Sequence, residues 1–119
     1  MTLFHVTTRS EWETARITGS YRMSTKGASL DDVGFIHASS AAQLPRVATF
    51  LYGGGTSPLV VLELDDDEIR AAGTRIPWED GGEGELFPHI YGPIELSWVT
   101  AVIPAGFDAA GTFTFLEGD

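Results

Sequence analysis

The sequence predicts an α+β domain built on a mostly antiparallel β-sheet with two main helices. Three observations carry this. Strand and helix signals run in the order strand, helix, strand, strand, helix and then almost only strands, which is not the regular alternation of a parallel α/β fold. The 119 residues show no linker, repeat or low-complexity tract, so they make one domain long enough to bury its own core. Cysteine is absent, so packing rather than disulfides must hold that core, and thiolate metal sites and cysteine nucleophiles are excluded.

The elements follow in order. LFHVTT alternates Phe4 and Val6 against His5 and Thr7, the period of a half-buried strand. In SEWETARITG, Ser10 is placed as an N-cap with Glu13 completing a capping box, and Gly19 suits the position after the helix end. YRMST reads as a second strand and, after a Gly- and Asp-rich connection, GFIHASS as a third, with Ile36 and Ala38 on one face and Phe35, His37 and Ser39 on the other. Ser39 or Ser40 caps a second helix in which Leu44, Val47, Ala48 and Leu51 keep helical spacing, with Pro45 in its first turn. YGGGTSP breaks the chain before LVVLEL, the most apolar strand and hence a central one. DDDEIRAAG reads as a short helical turn or loop, TRIPW as a strand, residues 79–93 as a long connection, WVTAVIPAG as a strand and TFTFLE as an edge strand.

Charge is unevenly placed. Residues 1–60 carry five basic against four acidic side chains, whereas residues 61–119 carry Arg70 and Arg75 against thirteen acids, a net of -11 within a total of -10. Binding of long nucleic acid needs clustered Lys and Arg, so that partner is excluded, while a small anionic ligand beside the N-terminal half is compatible. The segment MTLFHVTTRS lacks a charged region followed by an apolar one, and the longest apolar run is only a few residues. The expectation is a soluble cytoplasmic protein with no membrane partner; composition sets no oligomeric state.

The three histidines lie in HxTT, GxxHxSS and FPHxYGP. In the last, Pro88 and Pro93 fix φ and remove donors while Gly92 frees the turn, so GELFPHIYGPIEL reads as a stiff irregular loop that holds His89 and Tyr91. If the strands of His5 and His37 are neighbours, the two imidazoles share a surface that the 84–93 loop can cover. The expected site is a cleft with His37, His89 and Glu85 in catalytic roles and His5, Thr7, Ser39, Phe87 and Tyr91 on the ligand, Glu79 being a further carboxylate nearby. A strand histidine satisfied by a neighbouring carbonyl or hydroxyl is the ordinary alternative for each one. A three-histidine metal site is a second alternative, disfavoured by spacings of 32 and 52 residues without a close ligand pair. No G-x-S-x-G elbow supports a serine nucleophile, and YGGGTS lacks the lysine of a phosphate loop. A protein-interaction surface of Phe87, Tyr91 and Trp98 is a third alternative.

FHVTT, GFIHASS, PWE and GELFPHIYGPIEL together resemble the small bacterial family called domain of unknown function 952, over residues 1–104, with 105–119 as an extension that includes the edge strand. The family label carries no activity, but the family is similar to the ADP-ribosyltransferase superfamily. That similarity implies a split antiparallel sheet, NAD or a related nucleotide as ligand and no metal. It also implies that His5 and Thr7 match an H-x-T strand motif on the ribose side and that His37 stands at the cofactor-contacting position of a second strand. The third element of such sites, a catalytic Glu or its polar equivalent, has Glu85 and His89 as candidates, neither within the motif usual there.

Overall fold

The computed structural model describes residues 1–116. Its elements are β1 (Thr2–Thr8), α1 (Arg9–Thr18), β2 (Ser20–Tyr21), β3 (Met23–Thr25), β4 (Ala28–Ser29), α2 (Leu30–Val33), β5 (Ile36–His37), α3 (Leu44–Tyr52), β6 (Leu59–Asp65), α4 (Asp66–Ala71), β7 (Trp78–Asp80), β8 (Leu86–Ile90), β9 (Ile94–Glu95), β10 (Val99–Phe107) and β11 (Phe113–Phe115). All strand pairings are antiparallel. The fold is therefore α+β, with the two expected main helices α1 and α3 and two short ones, α2 and α4.

A four-stranded sheet in the order β1-β6-β10-β11 has cores on both faces. The register sets Leu3, His5 and Thr7 opposite Leu64, Leu62 and Val60, and this face packs with Tyr21, Ile36, Ile69, Ile90 and Ile94 into the larger core. The other face places Val6 beside Val61, under Leu44, Ala48 and Tyr52 of α3. LVVLEL is buried on both sides for this reason, which is why its run of apolar residues is nearly unbroken. A three-stranded sheet in the order β5-β8-β7 adjoins β1 through one bridge, in which Phe4 and Ser39 exchange backbone bonds of 2.9 and 2.8 Å.

Several sequence expectations change. The cap of α1 is Thr8, whose hydroxyl accepts from the Glu11 N–H at 3.1 Å, because β1 remains paired to β6 as far as Thr8 and Leu59. Ser10 lies inside the helix, and Glu13 binds Arg16 instead of closing a capping box. The reciprocal box is found one element later, between Ser29 and Asp32 at the start of α2. Ser40 and Gln43 exchange side-chain bonds in the turn before α3, Pro45 sits in its first turn, and Ser39 serves β1 through its backbone. YRMST is interrupted at Arg22, and TRIPW contributes only Trp78 to a strand.

The largest correction concerns residues 79–93. Residues 79–90 belong to the β7–β8 hairpin rather than to an irregular loop, β8 is the middle strand of its sheet, and only residues 91–93 are irregular. The Asp80 carboxylate accepts from the N–H groups of Gly82 and Gly84 at 2.7 and 3.3 Å, shaping a turn in which these two glycines have positive φ. Pro88 is tolerated because the bonds toward Pro77 and Arg75 come from the N–H groups of His89 and Tyr91, at 3.0 and 2.9 Å, while the Pro88 carbonyl still accepts from Ala38 at 3.1 Å. β11 pairs with residues 105–107 of β10 and forms the sheet edge. Glu117, the last residue of the TFTFLE candidate, lies outside the described residues, as do Gly118 and Asp119.

Replacing the true cap separates these helix starts. Thr8→Ala lowers unfolding free energy by about 1 kcal/mol, and Ser10→Ala changes it by less than about 0.5 kcal/mol, as read from urea midpoints at unchanged slope. Equal losses in the two variants contradict this assignment.

Candidate functional site

The three-stranded sheet presents Ile36, Pro88 and Ile90 to the interior and Phe35, His37, Phe87, His89 and Tyr91 to its other face, as strand alternation requires. His37 and His89 are direct cross-strand partners, and their rings meet edge to face with centroids 5.2 Å apart. Phe35 stacks on His89 at 4.0 Å and leans on His37 and Tyr91 at 4.8 and 5.3 Å. His89 is thereby buried, while Phe35, His37 and Tyr91 remain partly accessible.

Glu79, on β7, completes the group. Its Oε1 accepts from His89 Nδ1 at 2.9 Å and from the Tyr91 hydroxyl at 2.6 Å. The Tyr91 bond, followed by the His89 bond, holds the Glu79 carboxyl below the usual range, and the same carboxylate raises the Tyr91 phenol. The Arg75 guanidinium lies over the Tyr91 ring at 4.9 Å. Burial lowers the His37 pKa, with the neighbouring His89 adding to the effect. The remaining nitrogen of His89, Nε2, is buried without a hydrogen-bond partner. A carboxylate that takes Nδ1–H leaves Nε2 to exchange a proton, an arrangement suited to general acid–base chemistry.

The expected site residues separate into three places. His37, His89, Phe87 and Tyr91 come together on this face. His5 lies in the core: its Nδ1–H donates to the His37 carbonyl at 2.5 Å, and its Nε2 accepts from the Tyr21 hydroxyl at 2.7 Å, so neither nitrogen is left for a ligand or an ion. A three-histidine metal site is not formed. Ser39 is buried in the bridge to Phe4, and Thr7 lines a separate cavity. Glu85 sits at the hairpin tip, tied to Arg46 at 2.7 Å and to Gln43 at 3.1 Å, so the carboxylate beside His89 is Glu79. Trp98 is buried in the core rather than offered to a partner.

Phe35 and Arg75 were not among the expected site residues. The period-2 alternation of GFIH already put Phe35 on the face of His37, but nothing local distinguished it from a core aromatic. Arg75 reaches Tyr91 because the segment before β7 hydrogen-bonds to the chain after β8.

The family model described as "Protein of unknown function (DUF952)" matches residues 6–102. No curated protein matches the chain. Among solved structures, the X-ray structure of protein CC0527 from Caulobacter crescentus is 29% identical with a TM-score of 0.80, covering 96% of this chain and 94% of that one. A double-mutant form of the same protein gives 28% identity and the same score, and its solution NMR structure 28% and 0.75, with 93% of this chain and 90% of that one covered. No helix among the described residues is long and apolar enough to cross a membrane.

Burial displaces the His5 pKa from 6.5 to about 4. The unfolded chain therefore binds the extra proton first, and the stabilisation is complete above pH 6.5 and lost as pH falls toward 4, on the order of 3 kcal/mol from this group. Histidine NMR titration, with His5→Gln for assignment, should show that ring still neutral at pH 5; an ordinary titration near 6.5 contradicts its place in the core.

Proposed function

The chain belongs to the DUF952 family, and from the geometry of its three-stranded sheet we propose that it binds a small anionic, nucleotide-like ligand over Phe35, His37 and Tyr91, with His89 exchanging a proton with it. One observation carries this reading: His89 Nε2 is buried and unpartnered while Nδ1 is held by Glu79. Leaving such an atom unsatisfied costs roughly 1–3 kcal/mol, and native structures seldom do so without a ligand, a water or a chemical purpose.

Each neighbour has a part. Glu79 orients the imidazole and keeps its proton on Nδ1, with Tyr91 O–H bracing the carboxylate. His37, neutral near pH 7 because its pKa is lowered, can donate or accept at the mouth of the site. Arg75 is the cation available to an anionic group, and the exposed parts of Phe35 and Tyr91 offer ring faces to a base. The residues do not fit a whole NAD molecule. Two linked phosphates call for paired cations, and this face has Arg75 in a half of the chain where two arginines stand against thirteen acids. A mononucleotide or sugar phosphate matches the face better, so a phosphotransferase-like reaction, rather than the ADP-ribosyl transfer that would need NAD, is the corresponding enzymatic reading, with His89 as acid–base group.

Thermal unfolding with nucleoside monophosphates, ribose 5-phosphate, ADP-ribose and NAD tests the proposal. A mononucleotide at about a hundred times its Kd should add about 2.7 kcal/mol of stability, an effect absent in His89→Gln and weakened in Arg75→Ala. No stabilisation by any of these compounds at millimolar concentration would end the reading.

A further inference from the structure

Away from the histidines, a cavity of about 130 Å³ opens where the end of β1, the first turn of α1, the β3–β4 turn and the segment after α3 meet. Thr7 and Tyr52, both buried, form its floor; Glu11 and Thr25 form the half-buried wall; Lys26 and Ser57 stand exposed at the rim. No histidine lines it. The space lies below the roughly 300 Å³ at which pockets for drug-sized ligands begin, so the occupant must be smaller than a nucleotide.

Lys26 is the only lysine in the chain. Arg16, Arg22, Arg46 and Arg70 all have carboxylate partners, as expected where 7 basic residues face 17 acidic ones. Among the described residues Lys26 has none. Its ammonium donates to the Leu51 carbonyl at 3.0 Å and lies 5.4 Å from the centre of the Tyr52 ring, which tethers it over the cavity with donors to spare. Glu11 is its counterpart. Thr8 caps its backbone N–H, no described cation pairs with its carboxylate, and its charge contributes, after burial, to raising the Tyr52 phenol at the cavity floor.

One cation and one anion thus border the same small hollow without meeting, and the hydroxyl-bearing Thr7, Thr25, Tyr52 and Ser57 are among the residues that line it with them. A ligand of a single sign would gain from one and be opposed by the other. A neutral ligand would leave both unpaired. We propose that this cavity binds a free α-amino acid, its carboxylate on Lys26 and its ammonium on Glu11, over the hydroxyls of Thr7 and Tyr52. The site is independent of the His37–His89 face.

The single lysine makes the test direct. Reductive methylation with a ¹³C label keeps the charge and leaves two kinds of amine signal, Lys26 and the Met1 amino group, in a carbon–proton NMR spectrum. The labelled protein of unchanged sequence is titrated with each proteinogenic L-amino acid at about 10 mM, a concentration suited to the millimolar Kd that so few contacts give. At least one should move the Lys26 signal and leave that of Met1 in place. Its N-acetyl and methyl-ester derivatives, each lacking one charge, should bind at least about tenfold more weakly, as should Glu11→Gln read by calorimetry. The proposal is overturned if no amino acid moves the Lys26 signal, if the N-acetyl derivative binds as well as its parent, or if only glucose, glycerol or a nucleotide does so. The derivative comparison stands even where Glu11→Gln fails to fold.

Discussion

A buried imidazole, together with the Phe4–Ser39 bridge, ties the four-stranded sheet to the three-stranded one. His5 sits on β1 in the larger core, donates to the carbonyl of His37 on β5, and accepts from the hydroxyl of Tyr21 on β2. Removing the imidazole would take a hydrogen bond from the buried Tyr21 phenol and from the His37 carbonyl at once. A leucine of similar size would fill the space but make neither bond. The bond also fixes where the backbone of His37 lies, and through the cross-strand pair it fixes His89 as well. The histidine that carries no chemistry of its own positions those that can.

On the outer face the polar groups are ordered by one carboxylate. Glu79 receives two donors on a single oxygen, so His89 and Tyr91 are held against each other and against the aromatic ring of Phe35. The burial of His89 makes its unpaired Nε2 costly. The acidic character of the second half of the chain has a local meaning here. Glu79 and Glu85 are both set in built arrangements, one under the imidazole and one clamping the hairpin tip to the start of α3. Much of the remaining charge, such as Asp67, is solvated surface.

Legibility varied with the range of the deciding interaction. The α+β class, β1, α1, α3 with Pro45 in its first turn, and the doubly buried β6 were all readable, because periodicity and helix stops are local. The α1 cap was misread because Ser10 and Glu13 match a capping box, whereas pairing of β1 with β6 extends the strand to Thr8. FPHIYGP looked irregular because two prolines and a glycine depress strand propensity. Its first four residues nevertheless lie in a middle strand, since the required donors come from His89 and Tyr91 rather than from Pro88. His37 and His89 were legible as neighbours, but Glu85 was chosen over Glu79 on adjacency in the chain, and a hairpin register is invisible to adjacency.

By itself the sequence determined the elements with strong periods, the absence of cysteine chemistry, the acidic second half, and the small set of side chains from which an acid–base site could be made. Tertiary structure decided which of the three histidines lies in the core with both nitrogens bonded, which two share the outer face, and which carboxylate bonds to His89. The physical reason is that an imidazole's role depends on what its two nitrogens touch. Those partners lie 10 to 32 residues away, brought near only by strand pairing and burial.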